Sequence, residues 1–267
     1  MTALREMVPE ALAVALNAHK SLAIAVSGGV DSITLAHAAH LVRTWPTTVC
    51  HAVSPAVPTD ATARVERHAR ASGWSLVVLD ACEFADPNYL RNPVNRCYFC
   101  KSNLYERIGS AVGGRIASGA NLDDLGDYRP GLNAAAERKV VHPLIEAGMD
   151  KAATRALARS LQLDDVAELP AQPCLASRIE TGLLVRPEDL SFVAEMEAAL
   201  SPLVGLDGLR CRITAAGVRV EFDLERARRD GSYNAAHAVA LERCARSGRS
   251  LHSIASYRRG SAFLHDA

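Results

Sequence analysis

A glycine-rich turn that contains an aspartate is the first place where this sequence could do chemistry. The turn reads "SGGVDS" and follows the apolar run "SLAIA". Gly28 and Gly29 allow backbone N–H groups to face an anion, and the hydroxyls of Ser27 and Ser32 can donate to phosphate oxygens. Asp31 is an unusual neighbour for phosphate, and Mg²⁺ is the cation that would bridge the two. A lone Gly-Gly pair would favour a tight strand–helix turn, whereas the full string predicts a nucleotide phosphate site.

Three cysteines form the second group with chemical potential. Cys97 and Cys100 make a CxxC, which suits a metal, an iron–sulfur cluster or a redox disulfide, and Cys174 follows in "AQPCLASRI". A zinc site normally has four ligands, but a second CxxC is absent and no His-x₃₋₅-His follows. Three thiolates can hold a [4Fe–4S] cluster with one iron left open, while the alternative is that these are small buried residues. The other cysteines lie in apolar patterns and are predicted to be core residues: Cys50, Cys82, Cys211 and Cys244.

The elements that must position these residues alternate between strand and helix. We predict strands in "SLAIAVSGG", "TTVCHAVSP", "SLVVLDA" and "RIASGAN", with helices between them. This alternation indicates an α/β fold, with a parallel sheet covered by helices on both faces and ligands at the carboxyl ends of the strands. The amino-terminal stretch "MTALREMVPEALAVALNAHK" is interpreted as one leading helix, and "DYRP" as part of a polar loop.

The pattern changes near residue 185, where an amphipathic helix, a hairpin of "LRCRI" and "VRVEF", and a further helix follow. We therefore predict two domains, residues 1–182 and a small α+β domain of residues 183–267.

Composition narrows the function classes. The 267 residues are 49% hydrophobic, and 30 Lys+Arg balance 30 Asp+Glu. Zero net charge disfavours a nucleic acid partner, because proteins that bind nucleic acid usually carry a basic excess. Neither a membrane span nor a signal-peptide layout is apparent, so we expect a cytoplasmic protein. In a reducing compartment, seven cysteines favour metal or sulfur chemistry over disulfides.

Taken together, the motifs resemble one family. The glycine turn resembles the PP-loop of ATP pyrophosphatases, and the whole set resembles the LarE family, the sulfur transferases of nickel-pincer nucleotide synthesis. The likeness covers most of residues 20–185 and continues more weakly through the two later strands. It is carried by "AVSGGVDS", "NPVNRCYFCKSNLY", "SGANLDDLGDYRPGL", "HPLIEAGMDKAATRALA" and "PCLASRI".

This resemblance implies an ATP-dependent, two-stage reaction. ATP adenylates a carboxylate of pyridinium-3,5-biscarboxylic acid mononucleotide, and a sulfur nucleophile then displaces AMP to give a thiocarboxylate. Some members give up the sulfur of one cysteine at the position of Cys174. Members with the additional CxxC are similar to this chain and are thought to hold a [4Fe–4S] cluster, with Cys97, Cys100 and Cys174 as ligands here. The resemblance also implies a homo-oligomer.

Residue roles follow from matching positions. Catalytic roles fall to Cys174, Asp31, Ser177 and Arg178. ATP and Mg²⁺ binding falls to Ser27, Gly28, Gly29, Asp31, Ser32, Lys101, Asp124 and Asp127. Substrate binding falls to Arg210, Arg212, Arg258, Glu197 and Glu221. For Lys101 the ordinary alternative is a solvated helix lysine, and for the paired arginines it is an exposed strand face.

Three rival functions stay open at this level. A tRNA thiolation enzyme shares the PP-loop, but neutral charge and the lack of a basic appendage disfavour it. An amide-forming ligase would leave the three cysteines without a role, and an ATP-binding sensor with a redox-responsive cluster would not be an enzyme. The segments "ETGLLV" and "TAAG" depart from the family pattern where substrate should bind, so the sequence leaves the exact substrate open.

Overall fold

Two sets of strands organise the chain, and both occur where the sequence pattern predicts them. The structure is a computed structural model that describes residues 2–126 and 128–257. Two of the predicted site residues, Asp127 and Arg258, lie outside the described residues. In chain order the strands are β1 (Leu22–Ala25), β2 (Thr47–Val53), β3 (Ser75–Asp80), β4 (Arg115–Ser118), β5 (Arg210–Thr214), β6 (Gly217–Phe222) and β7 (Leu251–Ser256).

Helices occupy most of the connections between the strands. They are α1 (Thr2–Glu6), α2 (Glu10–Asn17), α3 (Val30–Val42), α4 (Thr59–Ser72), α5 (Pro87–Leu90), α6 (Arg96–Val112), α7 (Pro130–Glu137), α8 (Pro143–Glu146), α9 (Lys151–Ser160), α10 (Asp164–Ala167), α11 (Pro187–Val204), α12 (Leu224–Arg229) and α13 (Ser232–Arg246). Short 3-10 turns span Glu83–Ala85, Leu122–Leu125 and Leu175–Arg178. No helix in the described part of the chain has the length and apolarity that crossing a membrane requires.

The first sheet is parallel throughout, in the order β3-β2-β1-β4. Side chains alternate between the two faces of a strand, and β1 shows this directly. Leu22 and Ile24 pack into one hydrophobic cluster with residues of α3 and α9, whereas Ala23 packs into another with Tyr105 and Ile108 of α6. Burial on both faces is what a parallel sheet flanked by helices requires, and the predicted α/β class is confirmed.

The second sheet is small and mixed. Strand β6 pairs antiparallel with β5 and parallel with β7. Helix α11 packs against β5 and α13, and buries Leu190, Val193, Met196 and Leu200. This arrangement gives the small second part of the fold that the change of pattern after residue 185 indicates.

The chain divides into two compact units, but not by a single cut. The first unit consists of residues 1–86 and 97–172, and the second of residues 87–96 and 173–267. The boundary predicted after residue 182 falls inside the second unit. In that unit the Asn92 side chain donates to the carbonyl of Glu180 at 2.8 Å, which ties the segment 87–96 to residues far along the chain.

Two local predictions are corrected by the structure. The single leading helix is two helices, because Pro9 stands at the N-cap of α2 and proline cannot continue the preceding helix. The polar loop expected to include Pro130 ends one residue earlier, because Pro130 is the first residue of α7. Proline suits that position, since the N–H it lacks has no partner within the helix.

Candidate functional site

The glycine turn joins β1 to α3 and is held by its own serines. Ser32, which is 5% exposed, accepts a hydrogen bond from the backbone N–H of Ser27 at 3.1 Å and donates to the carbonyl of Gly29 at 3.1 Å. The hydroxyls of Ser27 and Ser32 lie 3.3 Å apart. Gly29 is the N-cap of α3 and has no side chain to cap it, so the first turn of the helix presents backbone N–H groups at the loop.

Gly28 can only be a glycine in this turn. Its φ angle of 85° lies in the left-handed region, and a Cβ there would stand 2.7 Å from the carbonyl oxygen of Ala61 in α4. The turn therefore needs both the conformational freedom and the small size of this residue.

The site lies where the strand order reverses. The chain leaves β1 toward β2 on one side, whereas β4 pairs with the other side of β1, so the carboxyl ends of β1 and β4 border the crevice in which such sheets bind ligands. The backbone after β4 approaches α3 so closely that a Cβ on Gly119 would be 2.8 Å from the backbone nitrogen of Ser32.

The Asp31 carboxylate binds two side chains in the crevice. Its Oδ2 lies 2.5 Å from Nζ of Lys151, and its Oδ1 accepts a hydrogen bond from Nδ2 of Asn121 at 3.2 Å. Its carboxylate is 22% exposed and the Lys151 side chain is 36% exposed. Residues after β1, after β4 and at the start of α9 thus converge on one carboxylate beside a turn that suits phosphate.

Asp124 stabilises the turn that carries Asn121. The Asp124 carboxylate accepts from the backbone N–H of Asn121 at 3.1 Å, while the Asn121 side chain accepts from the N–H of Asp123 at 3.0 Å. Asp124 also forms an ion pair with Arg129 at 2.8 Å. Asp124 therefore acts on Asp31 indirectly, by orienting Asn121.

A buried arginine supports the glycine turn from α4. Arg64 is 7% exposed, and its Nη1 donates to the carbonyl of Gly28 at 2.9 Å and to Oε1 of Gln172 at 3.4 Å. Burial lowers the pKa of Arg64, which reports the cost of keeping its charge away from water.

A buried histidine and a partly buried one hold the strand ends next to the crevice. His51 joins the carbonyl of Val26 at 2.8 Å to the hydroxyl of Thr62 at 2.9 Å, and burial lowers its pKa. His142, which precedes α8, lies 2.8 Å from the hydroxyl of Ser118 at the end of β4, and burial lowers its pKa as well. Both rings therefore favour the neutral state, in which one nitrogen donates and the other accepts.

Cys97 and Cys100 lie on α6 in the first unit, one helical turn apart and both partly buried. Lys101 follows them, with its ammonium 5.9 Å from the ring centre of Tyr105. The thiol pair differs from Cys50, Cys211 and Cys244, which are buried in the core and whose pKa values burial raises. Cys82 is exposed, so the prediction that it is a core residue is wrong. A pair of accessible thiols with this spacing fits two ligand positions of a metal or cluster.

Cys174 lies in the second unit, at the start of the 3-10 turn Leu175–Arg178. The Ser177 hydroxyl donates to the carbonyl of Cys174 at 2.7 Å. Arg178 is 5% exposed and forms two parallel hydrogen bonds to Glu197, at 3.0 and 3.1 Å. Its Nη1 also donates to the Ser177 hydroxyl at 3.0 Å, so the ion pair fixes the turn that carries the cysteine.

Arg210 and Arg212 share one face of β5, but their environments differ. Arg212 is buried and pairs with Glu221 at 2.8 Å, and its Nη1 donates to the carbonyl of Ser177 at 3.3 Å. The Arg210 guanidinium lies 5.3 Å from the ring centre of Tyr257 and forms no ion pair within residues 2–126 and 128–257. Burial, and next the charge of Arg178, lower the pKa of Arg210. Of the arginines Arg178, Arg210 and Arg212, Arg210 is thus the one best placed to bind an anionic ligand.

The described residues contain no group of three or more His, Cys, Asp or Glu side chains arranged to hold a metal ion. The structure brings together the glycine turn and Asp31 in the first unit, and Cys174, Ser177, Arg178, Glu197, Arg212 and Glu221 in the second.

Sequence reasoning missed three residues of the first unit: Lys151, Arg64 and Asn121 as the partner of Asp31. The motif "HPLIEAGMDK" contains Lys151, but nothing in its spacing predicts contact with a residue 120 positions away.

Two relatives have been found, and both cover most of the chain. The uncharacterized protein slr1717 of Synechocystis sp. is 37% identical over 206 residues, which span 76% of each protein. The uncharacterized protein MJ0830 of Methanocaldococcus jannaschii is 26% identical over 214 residues, which span 78% of this chain and 81% of the relative. No protein-family model matches the chain.

Proposed function

We propose, from the premise that this chain belongs to the same family as slr1717, that it is an ATP-dependent sulfur transferase of the PP-loop superfamily. Its substrate would be the carboxylate of a small nucleotide, of the class of pyridinium-3,5-biscarboxylic acid mononucleotide. The observation that carries the proposal is the convergence of Asp31, Asn121 and Lys151 beside the glycine turn, at the switch point of a parallel sheet.

Nucleotide binding is supported by the turn itself. The N–H groups at the start of α3 and the hydroxyls of Ser27 and Ser32 suit the phosphates of ATP. The Asp31 carboxylate fits as a ligand of Mg²⁺, which when bound would offset the negative charge of the triphosphate. Lys101 is a further candidate phosphate contact, and Asp124 acts by orienting Asn121.

Adenylation solves a chemical problem, because a carboxylate is a poor electrophile. One carboxylate oxygen of the substrate attacks the α-phosphorus of ATP, the bond to the bridging oxygen breaks, and pyrophosphate leaves. A sulfur nucleophile then attacks the carbonyl carbon of the adenylate and expels AMP, which leaves a thiocarboxylate. Arg210 would bind the substrate phosphate, with Arg212 and Arg178 shaping the site through their pairs with Glu221 and Glu197.

We propose that Cys97, Cys100 and Cys174 deliver the sulfur. Cys97 and Cys100 fit two thiolate positions on α6, and Cys174 is the third proposed ligand. A [4Fe–4S] cluster held by these thiolates would supply bound sulfide as the nucleophile. Ser177 and Arg178 fix the backbone at Cys174 in either case, whether it ligates a cluster or gives up its own sulfur.

The test separates the two stages of the reaction. Anaerobically purified protein is given ATP, Mg²⁺, sulfide and the dicarboxylate nucleotide, and pyrophosphate and thiocarboxylate are measured separately. The Asp31→Asn variant should lose both products. Cys174→Ser should still release pyrophosphate but form no thiocarboxylate.

Other outcomes would overturn the proposal. Amide formation with ammonia that Cys174→Ser leaves unchanged would favour the amide-forming ligase. Tight binding of bulk tRNA at moderate salt would favour tRNA thiolation, and no pyrophosphate release with any carboxylate would favour a sensor. Iron and sulfide analysis of the wild type and Cys97→Ser tests the cluster independently of activity.

A further inference from the structure

Lys151 makes the shortest polar contact in the crevice, and neither the motifs nor the relatives assign it a role. Its ammonium lies 2.5 Å from Oδ2 of Asp31, across 120 residues of sequence. The backbone of Lys151 is fixed independently of that contact. Its N–H donates to Asp123 at 3.3 Å, and Asp150 caps α9 by accepting from the N–H of Ala153 at 2.7 Å.

A purely structural ion pair is a weak explanation for this arrangement. The Lys151 side chain is 36% exposed, and ion pairs at such positions contribute little to stability. The same residue type is well suited to moving, because an ammonium on a four-carbon stem can change partners without moving its backbone. The contact also lies at the edge of the glycine turn, where anionic phosphate groups would bind.

We propose that Lys151 neutralises Asp31 only until nucleotide binds, and that its ammonium then transfers to the triphosphate. This inference rests on the proposed nucleotide site. A carboxylate facing phosphate oxygens needs a cation between them. Lys151 provides that charge in the nucleotide-free protein, and Mg²⁺ brought by the nucleotide replaces it at the carboxylate. The displaced ammonium then gains the phosphate oxygens as new partners.

Asn121 makes the exchange possible without reorganising the site. It holds Oδ1 of Asp31 while Lys151 occupies Oδ2. Asn121 is itself 2% exposed and fixed by the reciprocal bonds with Asp123 and Asp124. The carboxylate therefore keeps its orientation when its cation changes.

The experiment measures binding rather than turnover. Equilibrium dissociation constants are determined for the non-hydrolysable analogue α,β-methylene-ATP with Mg²⁺, and for adenosine, which has no phosphate. Lys151→Met should weaken binding of the analogue by about ten- to a hundredfold, as expected for a lost hydrogen bond between charged groups. Binding of adenosine should change by less than about twofold, which is within the effect of a distant surface substitution. Lys20→Met, at an exposed lysine, is the control and should change neither.

A second background separates the two possible roles of Lys151. If the lysine acts only through its ion pair, Lys151→Met should have no effect once Asp31 is already changed to Asn. If it contacts phosphate, the loss of analogue affinity should persist in the Asp31→Asn background. That background should also lose the enhancement of binding by Mg²⁺.

The outcomes also distinguish this inference from the function on which it rests. If the wild type and Lys151→Met bind the analogue with equal affinity, the proposed role of Lys151 is overturned. The proposed nucleotide site is then still supported. A parallel loss of analogue and adenosine affinity would show a structural role and overturn the inference. Failure of the wild-type protein to bind the analogue at all overturns both proposals.

Discussion

The pair formed by Arg178 and Glu197 places two opposite charges where water has little access. The two side chains are 6% and 16% exposed, and Glu197 also accepts from the backbone N–H of Cys211 at 2.9 Å. Such a pair adds little compared with two apolar residues, because desolvation offsets the attraction. Removing one partner is different, since the other charge is left buried without compensation.

Glu197→Ala should therefore lower the free energy of unfolding by about 3–5 kcal/mol. The matched control is Glu195→Ala on the same helix. Glu195 is 70% exposed and 3.9 Å from Arg243, so its loss should cost less than about 1 kcal/mol. Urea unfolding at neutral pH measures both. Equal effects of the two substitutions would contradict the argument that the buried charge of Arg178 needs Glu197 to compensate it.

His37 is the residue whose protonation should matter most for stability. It lies on α3 against Trp74, with its Nε2 2.9 Å from Nδ1 of His68, which in turn contacts Asp165 at 3.2 Å. Burial is the main cause that lowers its pKa to about 4, and the positive charges of His68 and His40 add to it, while Asp165 acts in the opposite direction. The folded protein therefore favours neutral His37.

Stability should fall as the pH decreases from about 6.5 to about 4, because in that window the unfolded chain binds a proton that folded His37 does not. The contribution of His37 is present above the pKa of the unfolded state and amounts to about 3 kcal/mol. His37→Gln should flatten the pH dependence of urea unfolding across this window. The exposed His237 provides the control, and His237→Gln should leave the profile unchanged. An unchanged slope in His37→Gln would contradict the prediction.

Among elements, the contact between the end of β4 and the first turn of α3 sets the geometry of the crevice. The closeness depends on Gly119, since a Cβ there would stand 2.8 Å from the nitrogen and 2.9 Å from the Cα of Ser32. The neighbouring atoms belong to backbone and cannot rotate away. A methyl group at this position must therefore push the two elements apart.

Gly119→Ala is expected to destabilise the protein by about 1–3 kcal/mol and to weaken binding of α,β-methylene-ATP. Gly109→Ala is the matched control, because Gly109 lies within α6 and a Cβ there meets nothing within 4 Å. That change should stabilise the protein by about 0.5–1 kcal/mol, since alanine favours the helix. Thermal or urea unfolding of both variants decides the point, and a neutral Gly119→Ala would refute the steric argument.

The strands and main helices could be predicted from the sequence because each depends on a local pattern. The continuous apolar run in "SLAIA" and the glycines that follow it specify a buried strand and a tight turn without information from elsewhere. The partners of the candidate site could not be predicted in the same way. Lys151 reaches Asp31, and Arg64 reaches the carbonyl of Gly28, only because α9 and α4 pack near α3. The placement of such pairs is a property of packing, not of periodicity.

At the scale of the whole molecule, the chain passes between its two compact units more than once. Residues 87–96 belong with residues 173–267, although the first unit lies on both sides of them in the sequence. Two backbone hydrogen bonds connect these segments within the second unit. The N–H of Gly182 donates to the carbonyl of Asn92 at 2.9 Å, and the N–H of Val185 donates to that of Leu90 at 2.9 Å.

A fragment of residues 183–267 should therefore fail to fold by itself. It would keep Glu197 and Arg212 but lose Arg178, the carbonyl of Ser177 and the pairing of Ile179 with Ile213. Circular dichroism during thermal unfolding, compared with the full chain, measures the outcome. A cooperative transition in the fragment would show that the segments before residue 183 are dispensable for this unit.

The early position of residues 87–96 also has a consequence for how the protein is made. During synthesis on the ribosome, this segment emerges long before residues 173–267, so it waits without its partners while the first unit can already be completed from residues up to 172. If synthesis stalled before residue 173, Tyr89 and Asn92, which are buried in the complete protein, would stay exposed to solvent. Translation speed and chaperone supply should thus govern the yield of the second unit more strongly than that of the first.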